Sequence, residues 1–420
     1  MTVFKAFPVM RPTLSSSRHT AFLPLSICLL MFPQFAQTLY SPAIADFTRA
    51  FSVAPEIASQ ALTVFFLFFA LGVAGWGWAC DRMGRRPAML CGLALYAAAC
   101  VMATLVASFS GLLVAQALAA SGAAVGSVVT QTLLRDRYSG AELARIFSTV
   151  GMALAVSPAI GLYVGTWIVR QFGYKGTTLS LLALSMALLA WTAVSLPETR
   201  SRSAFPARSR PARTSTQASG SRGPLCLAMA LDAAIWRSAT LVAAFNVALY
   251  SYYALGPFIF ERQHMSTSLY GYSGIALAMG SCMGAWLNKR LLTIGVPGAS
   301  LTARAALLTL GAGLSLLFTQ DTPWFLASML VVVMAFGMAI PNVLGQALDA
   351  YRGRLGAAGA WFGLAYYLMI GAGMLLVGWT QTLAGTVVAC GALATAACVG
   401  ARRAARGRGI DGTTPRETGI

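Results

Sequence analysis

Acidic side chains are scarce in this sequence: 12 Asp and Glu among 420 residues, beside only 2 histidines. Charged residues of both signs make up 10% of the chain, against ~25% in soluble globular proteins. That shortage excludes a soluble enzyme and a disordered chain. The histidines, His19 and His264, fall outside the apolar runs, and no acid pair or His/Cys/Asp/Glu cluster has catalytic or metal-ligand spacing. The sequence therefore predicts no catalytic residue, no metal and no cofactor. A G-x-x-x-x-G-K-[ST] phosphate loop is missing too, which excludes a nucleotide-driven pump. None of the 8 cysteines forms a C-x-x-C pair, and all but Cys226 sit in or beside apolar stretches. They read as small apolar fillers, not as a disulfide framework.

In place of charge the chain has apolar mass, 57% of its residues, with a mean hydropathy of +0.70. At ~20 residues per crossing, roughly 240 apolar residues supply about twelve membrane spans. They read as 20–40, 57–79, 88–107, 111–134, 146–169, 177–196, 238–260, 269–287, 299–319, 323–347, 355–379 and 383–401. The first follows Lys5, Arg11 and Arg18 as a signal peptide would. Gln34, however, stands where a small residue should precede cleavage after Ala36, so the run reads as an uncleaved first helix.

Lys and Arg number 30, for a net charge of +18. No nucleic-acid-binding motif accompanies them, so no nucleic-acid partner is expected. Their distribution fits the positive-inside rule. With both termini inside, the outer loops hold Arg49, Arg170, Lys175 and Arg262 against Asp46, Glu56, Glu261 and Asp321, which cancel; the whole +18 then lies inside. An odd number of spans would break that partition.

The organisation follows. Residues 1–19 form a cytoplasmic N-terminal segment, 20–196 a six-helix bundle, 197–237 a cytoplasmic Arg/Ser/Pro-rich linker, 238–401 a second six-helix bundle, and 402–420 a cytoplasmic Arg-rich tail. The end of the linker, 225–236, reads as one helix lying on the membrane surface, and the tail as unstructured chain attracted to anionic head groups. A faint repeat links the bundles. Gly77, Asp81 and Arg82 close the second span, and Gly284, Asn288 and Lys289 close the eighth, 207 residues later. The fold class is an all-α membrane protein of two pseudo-symmetric six-helix bundles.

Between spans 2 and 3 stands Gly77-Trp-Ala-Cys-Asp81-Arg82-Met-Gly84-Arg85-Arg86-Pro87. Gly77 would let helix 2 approach a neighbour, Gly84 would permit a tight turn, and Asp81 at the membrane edge needs a cationic partner. The pattern G-x-x-x-D-R-x-G-R-R resembles the loop 2–3 motif of the major facilitator superfamily. Tyr40-x-Pro42, Leu134-Arg135-Asp136-x-Tyr138, Ser157-Pro158-Ala-Ile-Gly161 and Leu196-Pro-Glu198-Thr resemble helix ends and the helix-5 antiporter motif of its twelve-helix drug:proton antiporters, in particular Bcr/CflA-type exporters. The resemblance implies the twelve-helix fold of that superfamily in a bacterial inner membrane. It also implies a cytoplasmic charge cluster of Asp81, Arg85, Arg135 and Asp136, which latches the halves when the cavity faces outward. Pro158 would bend helix 5, and Gly161 and Gly165 would pack across the interface between the halves.

Three positions depart from the antiporter pattern. Where helix 4 of those antiporters carries R-x-x-Q-x-x-G, this chain has Gln116, Ala119 and Gly122, and Thr38 replaces an acid two residues before Tyr40. No Asp or Glu falls near the middle of a span, although a buried acid is the usual proton carrier. Asp46 and Glu56 read as outer-loop residues.

Transporter sites lie near the midplane between the halves. The candidate cavity residues are Gln34, Gln37, Thr38 and Tyr40 on helix 1, Gln116 on helix 4, and Asn246, Tyr250 and Tyr253 on helix 7. Asn342 and Gln346 on helix 10, and Trp361, Tyr366 and Tyr367 on helix 11, complete the set. Amides and aromatics without a fixed charge suit an amphipathic molecule that is neutral or weakly cationic. The resemblance, together with these residues, implies a secondary transporter that exports small amphipathic molecules by alternating access in exchange for protons. The alternative is an exporter of a particular metabolite, a sugar or a nucleoside, with weak coupling. Its expected partners are the substrate, protons and the lipid bilayer, with no obligate protein partner.

Overall fold

The computed structural model describes residues 16–138, 140–196 and 225–410. The segment up to residue 15, the linker from 197 to 224 with Glu198, and the tail beyond 410 lie outside the described residues. Within hydrocarbon an α-helix pairs its backbone groups internally, so each long apolar run becomes one. The first four are α1 (Ser16–Tyr40), α2 (Gln60–Met83), α3 (Arg85–Leu105) and α4 (Phe109–Arg137). Gly140–Ser195 is helical except at Gly173, whose φ of 63° and ψ of −168° break it into two helices, α5 (140–172) and α6 (174–195). The second half holds α7 (Ala233–Arg262), α8 (Thr267–Thr293), α9 (Gly298–Thr319), α10 (Phe325–Gln346), α11 (Leu355–Thr380) and α12 (Leu383–Ile410). Among the described residues ten helical runs are long and apolar enough to span. Counting Gly140–Ser195 as two, and adding the equally long but less apolar α8, gives twelve spans.

Three local expectations change. Residues 225–236 do not form one surface helix: Leu225–Ala230 stands alone, and Asp232 caps α7 by accepting the Ala234 N–H at 2.8 Å. An aspartate at an N-cap starts a new helix, which takes in Trp236. The tail from 402 is helical as far as Ile410, because alanine and arginine are strong helix formers. Asp46 lies on a short helix, Ile44–Phe51, with its side chain only 23% exposed, not in an open loop.

The two halves pack alike. α2 packs on α4 and α3 on α4, while α8 packs on α10 and α9 on α10. A Cβ at Gly77 would face Val128 of α4, and one at Gly284 would run into the Met334 carbonyl of α10. The faint repeat is therefore one contact made twice. At Gly77, however, the nearest atom is 3.8 Å away, which leaves room for a methyl group. The close approach of α2 falls instead at Gly72, where a Cβ would sit 2.7 Å from the Ser121 carbonyl.

Across the halves α2 meets α11 and α5 meets α8. Glycines mark where these pairs touch. Gly378 abuts Gln60 and Gly371 abuts Leu67, whereas at Gly363 the nearest atom, on Val73, is 3.9 Å away. Likewise Gly271 abuts Thr166 and Gly274 abuts Leu162, whereas Pro158, one turn on, borders a cavity. The halves close at the end away from the chain termini and part toward the terminal end.

Candidate functional site: a cavity between the halves

A seam of polar contacts shuts the far end. Ser41 Oγ donates to the Tyr253 carbonyl and lies 2.7 Å from Tyr270 Oη. Arg49 Nη2 lies 2.7 Å from Glu261 Oε1, Gln381 Nε2 donates to Ser59 Oγ at 2.8 Å, and Arg170 bonds Ser268. Each contact joins the first six helices to the last six.

Beneath the seam lies a cavity of about 690 Å³. α1 contributes Gln34; α5 contributes Phe147, Leu154 and Pro158; α7 contributes Asn246, Tyr250 and Tyr253. α8 adds Ser281, α10 adds Phe336 and Pro341, and α11 adds Tyr366 and Tyr367. None of the lining residues is charged. Rings pack at an angle around its wall: Phe66 against Tyr250 at 4.5 Å, Phe69 edge-on to Tyr367 at 4.9 Å, and Tyr366 against Tyr367 at 4.4 Å between centroids. Asn246 Nδ2 donates to the Val242 carbonyl at 2.7 Å, which leaves its carbonyl oxygen free for a ligand donor.

Of the candidates, Gln34, Asn246, Tyr250, Tyr253, Tyr366 and Tyr367 thus meet in one chamber. The others do not line it. Gln37 and Tyr40 are buried on α1, and neither Gln37 Nε2 nor Tyr40 Oη has a hydrogen-bond partner among the described residues. Thr38 Oγ1 bonds back to the Gln34 carbonyl at 3.0 Å and presses on Gly161. Gln116 is buried on α4 away from the lining. Trp361 stacks edge-on against Trp236 at 5.7 Å. Asn342 and Gln346 line a separate pocket within the second half, where Asn342 Nδ2 reaches Asn288 Oδ1 at 2.7 Å.

In the helix-5 motif, Ser157 Oγ donates to the Met31 carbonyl at 3.4 Å, and Pro158 faces the cavity. Proline lacks an N–H, so the Leu154 carbonyl, also on the lining helix face, loses its helical donor. Gly161 and Gly165 do not pack across the halves. They share the face turned to α1, against Thr38 and the Leu39 carbonyl. The next face of α5, Leu162 and Thr166, meets the other half, and the glycines there belong to α8.

At the terminal end Gly84 turns the chain with a φ of 101°. Arg85 Nε donates to Asp136 Oδ2 at 2.9 Å, and its Nη1 lies 3.7 Å from Asp81 Oδ1. Arg86 Nη2 donates to the Ala193 carbonyl at 2.6 Å, Arg82 lies over the Trp78 ring at 4.0 Å, and Arg135 lies 5.9 Å from the Phe147 ring centroid. All of these contacts stay within the first half. Sequence reasoning missed the seam and the α5 and α8 walls. Opposite charges at span ends (Arg49 and Glu261) and the small residues Ser281 and Ala285, four apart on α8, were the available signals.

A profile described as Major Facilitator Superfamily matches residues 26–374, from α1 into α11. An uncharacterized transporter of Rickettsia bellii (strain RML369-C) is 26% identical over 371 residues, 84% of this chain and 88% of its own. Multidrug resistance protein D of Escherichia coli (strain K12) is 31% identical over 183 residues, 44% of this chain and 46% of that one. In fold, the crystal structure of a D-xylose–proton symporter is similar with a TM-score of 0.67 at 14% identity, covering 91% of this chain and 97% of that one. With the profile running through both halves and eleven of the helices around the cavity, this multi-pass chain belongs to the Major Facilitator Superfamily of membrane transporters.

Proposed function

We propose that this transporter exports small, partly aromatic, amphipathic molecules of drug type from the cytoplasm by alternating access. The observation that carries the reading is the central cavity: about 690 Å³, walled by clustered tyrosines and the amides of Gln34 and Asn246, and without a charged side chain. Aromatic faces bind flat apolar or weakly cationic molecules by stacking, at ~0.5–1.5 kcal/mol per ring. The partial likeness to a multidrug resistance protein supports the same substrate class. The terminal end collects the basic charge, so it faces the cytoplasm of a bacterial cell; the conformation is then inward-facing, ready to load. Proton exchange, implied by the resemblance, has no carboxylate in the cavity to run through. Among the described residues, the carboxylates that border crevices between the halves are Asp46, Glu56 and Glu261, at the outer end.

The uncharged lining also favours a second reading, a facilitated exporter of one neutral metabolite. An efflux-deficient host overexpressing the chain, challenged with a panel of neutral, cationic and dianionic drugs and metabolites, separates the two. Raised tolerance to several unrelated neutral or cationic aromatic compounds supports drug export. Tolerance to a single metabolite supports the second reading, and liposomes that move none of the panel refute both.

A further inference from the structure

The amides expected in the substrate cavity, Asn342 and Gln346, line a different pocket of about 350 Å³ among α7, α9, α10 and α12 at the terminal end. Arg237 and Ser238 stand in its wall beside them, and Leu241 and Ala397 form its apolar part. Its rim residues Ala234, Ala299 and Ala401 are exposed, so it opens on the side of the molecule and not into the central cavity.

Arg237 has no hydrogen-bond or ion-pair partner among the described residues. The nearest acid along its helix is taken: Asp232 Oδ1 accepts the Ala234 N–H and Oδ2 accepts the Tyr351 hydroxyl at 2.9 Å. A guanidinium at a membrane interface with no protein anion calls for an outside one. Asn342 is 7% exposed and spends its Nδ2 on Asn288 and on the Met338 carbonyl, which turns Oδ1 toward Gly298 at the pocket's edge. That oxygen can only accept, which suits a ligand that brings a donor as well as an anion. A small free anion such as hydrogen phosphate can bring an O–H donor but leaves the apolar wall unexplained.

We propose that this pocket binds an anionic, hydroxyl-bearing phospholipid, with its phosphate on Arg237 and Ser238, a head-group hydroxyl on Asn342 Oδ1, and the first acyl carbons against Leu241 and Ala397. Basic pockets between helices at one membrane face hold anionic head groups in this way. The inference goes beyond the export reading and does not depend on what the cavity carries.

The full chain, purified in detergent, is titrated with phosphatidylglycerol or phosphatidylcholine and read by native mass spectrometry. Phosphatidylglycerol should bind in preference to phosphatidylcholine. Arg237→Gln should weaken it about tenfold, the loss of one charge-assisted hydrogen bond. Arg304→Gln, at an exposed arginine of a separate crevice, should not. Ala397→Phe fills the apolar part and provides a second variant should Arg237→Gln fail to fold; it too should weaken binding. Equal binding of the two lipids, unchanged binding in either pocket variant, or equal loss in Arg304→Gln overturns the proposal. Displacement of the lipid by millimolar inorganic phosphate alone overturns it as well, in favour of a free-anion site.

Discussion

Arg49 on the first half and Glu261 on the second form an ion pair of 2.7 Å across the closed end. Their side chains are 66% and 53% exposed, so the pair is worth about 0.2–1 kcal/mol. At that strength it biases a two-state equilibrium by no more than about fivefold, which leaves a seam able to open in every transport cycle. Glu261→Gln should therefore raise the open population of the outer end by roughly two- to fivefold without lowering thermal stability. The check is the rate at which an impermeant maleimide labels a cysteine placed at Ala45, which lines the same crevice. An unchanged rate would show that Ser41, Ser59 and their partners hold the seam unaided.

Two glycines near each other in space should fail in different ways. Gly161 packs inside the first half, where a Cβ collides with Thr38 Oγ1, and Gly274 packs between the halves, against Leu162 at 2.9 Å. Gly161→Val overpacks a core and should lower stability by about 1–3 kcal/mol. Gly274→Val wedges the closed end open, which slows transport while the melting temperature stays near that of the parent. Melting and efflux measured on both variants would test the assignment; equal loss of stability in the two would refute it.

Much of this architecture was legible in the sequence, for a physical reason. Hydrocarbon favours helices that pair their own backbone groups, so apolar runs report spans directly, and Gly77 and Gly284 each face the helix two further along, α4 and α10. The turn at Gly84 followed from local chemistry, whereas the charge cluster that holds Arg85 and Asp136 came from the family resemblance. Which face of a span looks inward did not. A helix that is apolar all round has no period to mark its inner side, so Asn342 on α10 looked as suited to the cavity as Asn246 on α7. For the same reason Gly161 and Gly165 could not be told from the next face of α5, which makes the contact between the halves.

The charge cluster at the terminal end separates stability from cycling. Asp136 holds Arg85 at 2.9 Å while one-third exposed; Asp81 lies 3.7 Å away and is 75% exposed. Asp136→Asn should lower stability by about 1.5 kcal/mol, as loss of a charge-assisted hydrogen bond does. Asp81→Asn should leave the melting temperature unchanged and still abolish efflux, because the proposed latch uses Asp81 only when the terminal end closes. Efflux in Asp81→Asn at the parent rate would remove Asp81 from the latch.

The uncharged cavity makes the sharpest prediction about substrate choice. Asn246 already stands in the wall beside Tyr250 and Tyr253, its Nδ2 tied to the Val242 carbonyl. Asn246→Asp keeps the shape and adds one carboxylate, while removing that donor. In a chamber walled mostly by apolar and aromatic side chains a carboxylate attracts a cationic ligand more than it would in bulk water, and an unpaired charge resists a neutral one. Export should therefore move toward cationic aromatic compounds by about tenfold relative to neutral ones, and should become pH-dependent, because the new acid can take a proton. The measurement is the ratio of tolerance to matched neutral and quaternary-ammonium compounds in the efflux-deficient host. A ratio that stays put would mean that substrate does not pass Asn246, and that the tyrosine-lined chamber is not the path.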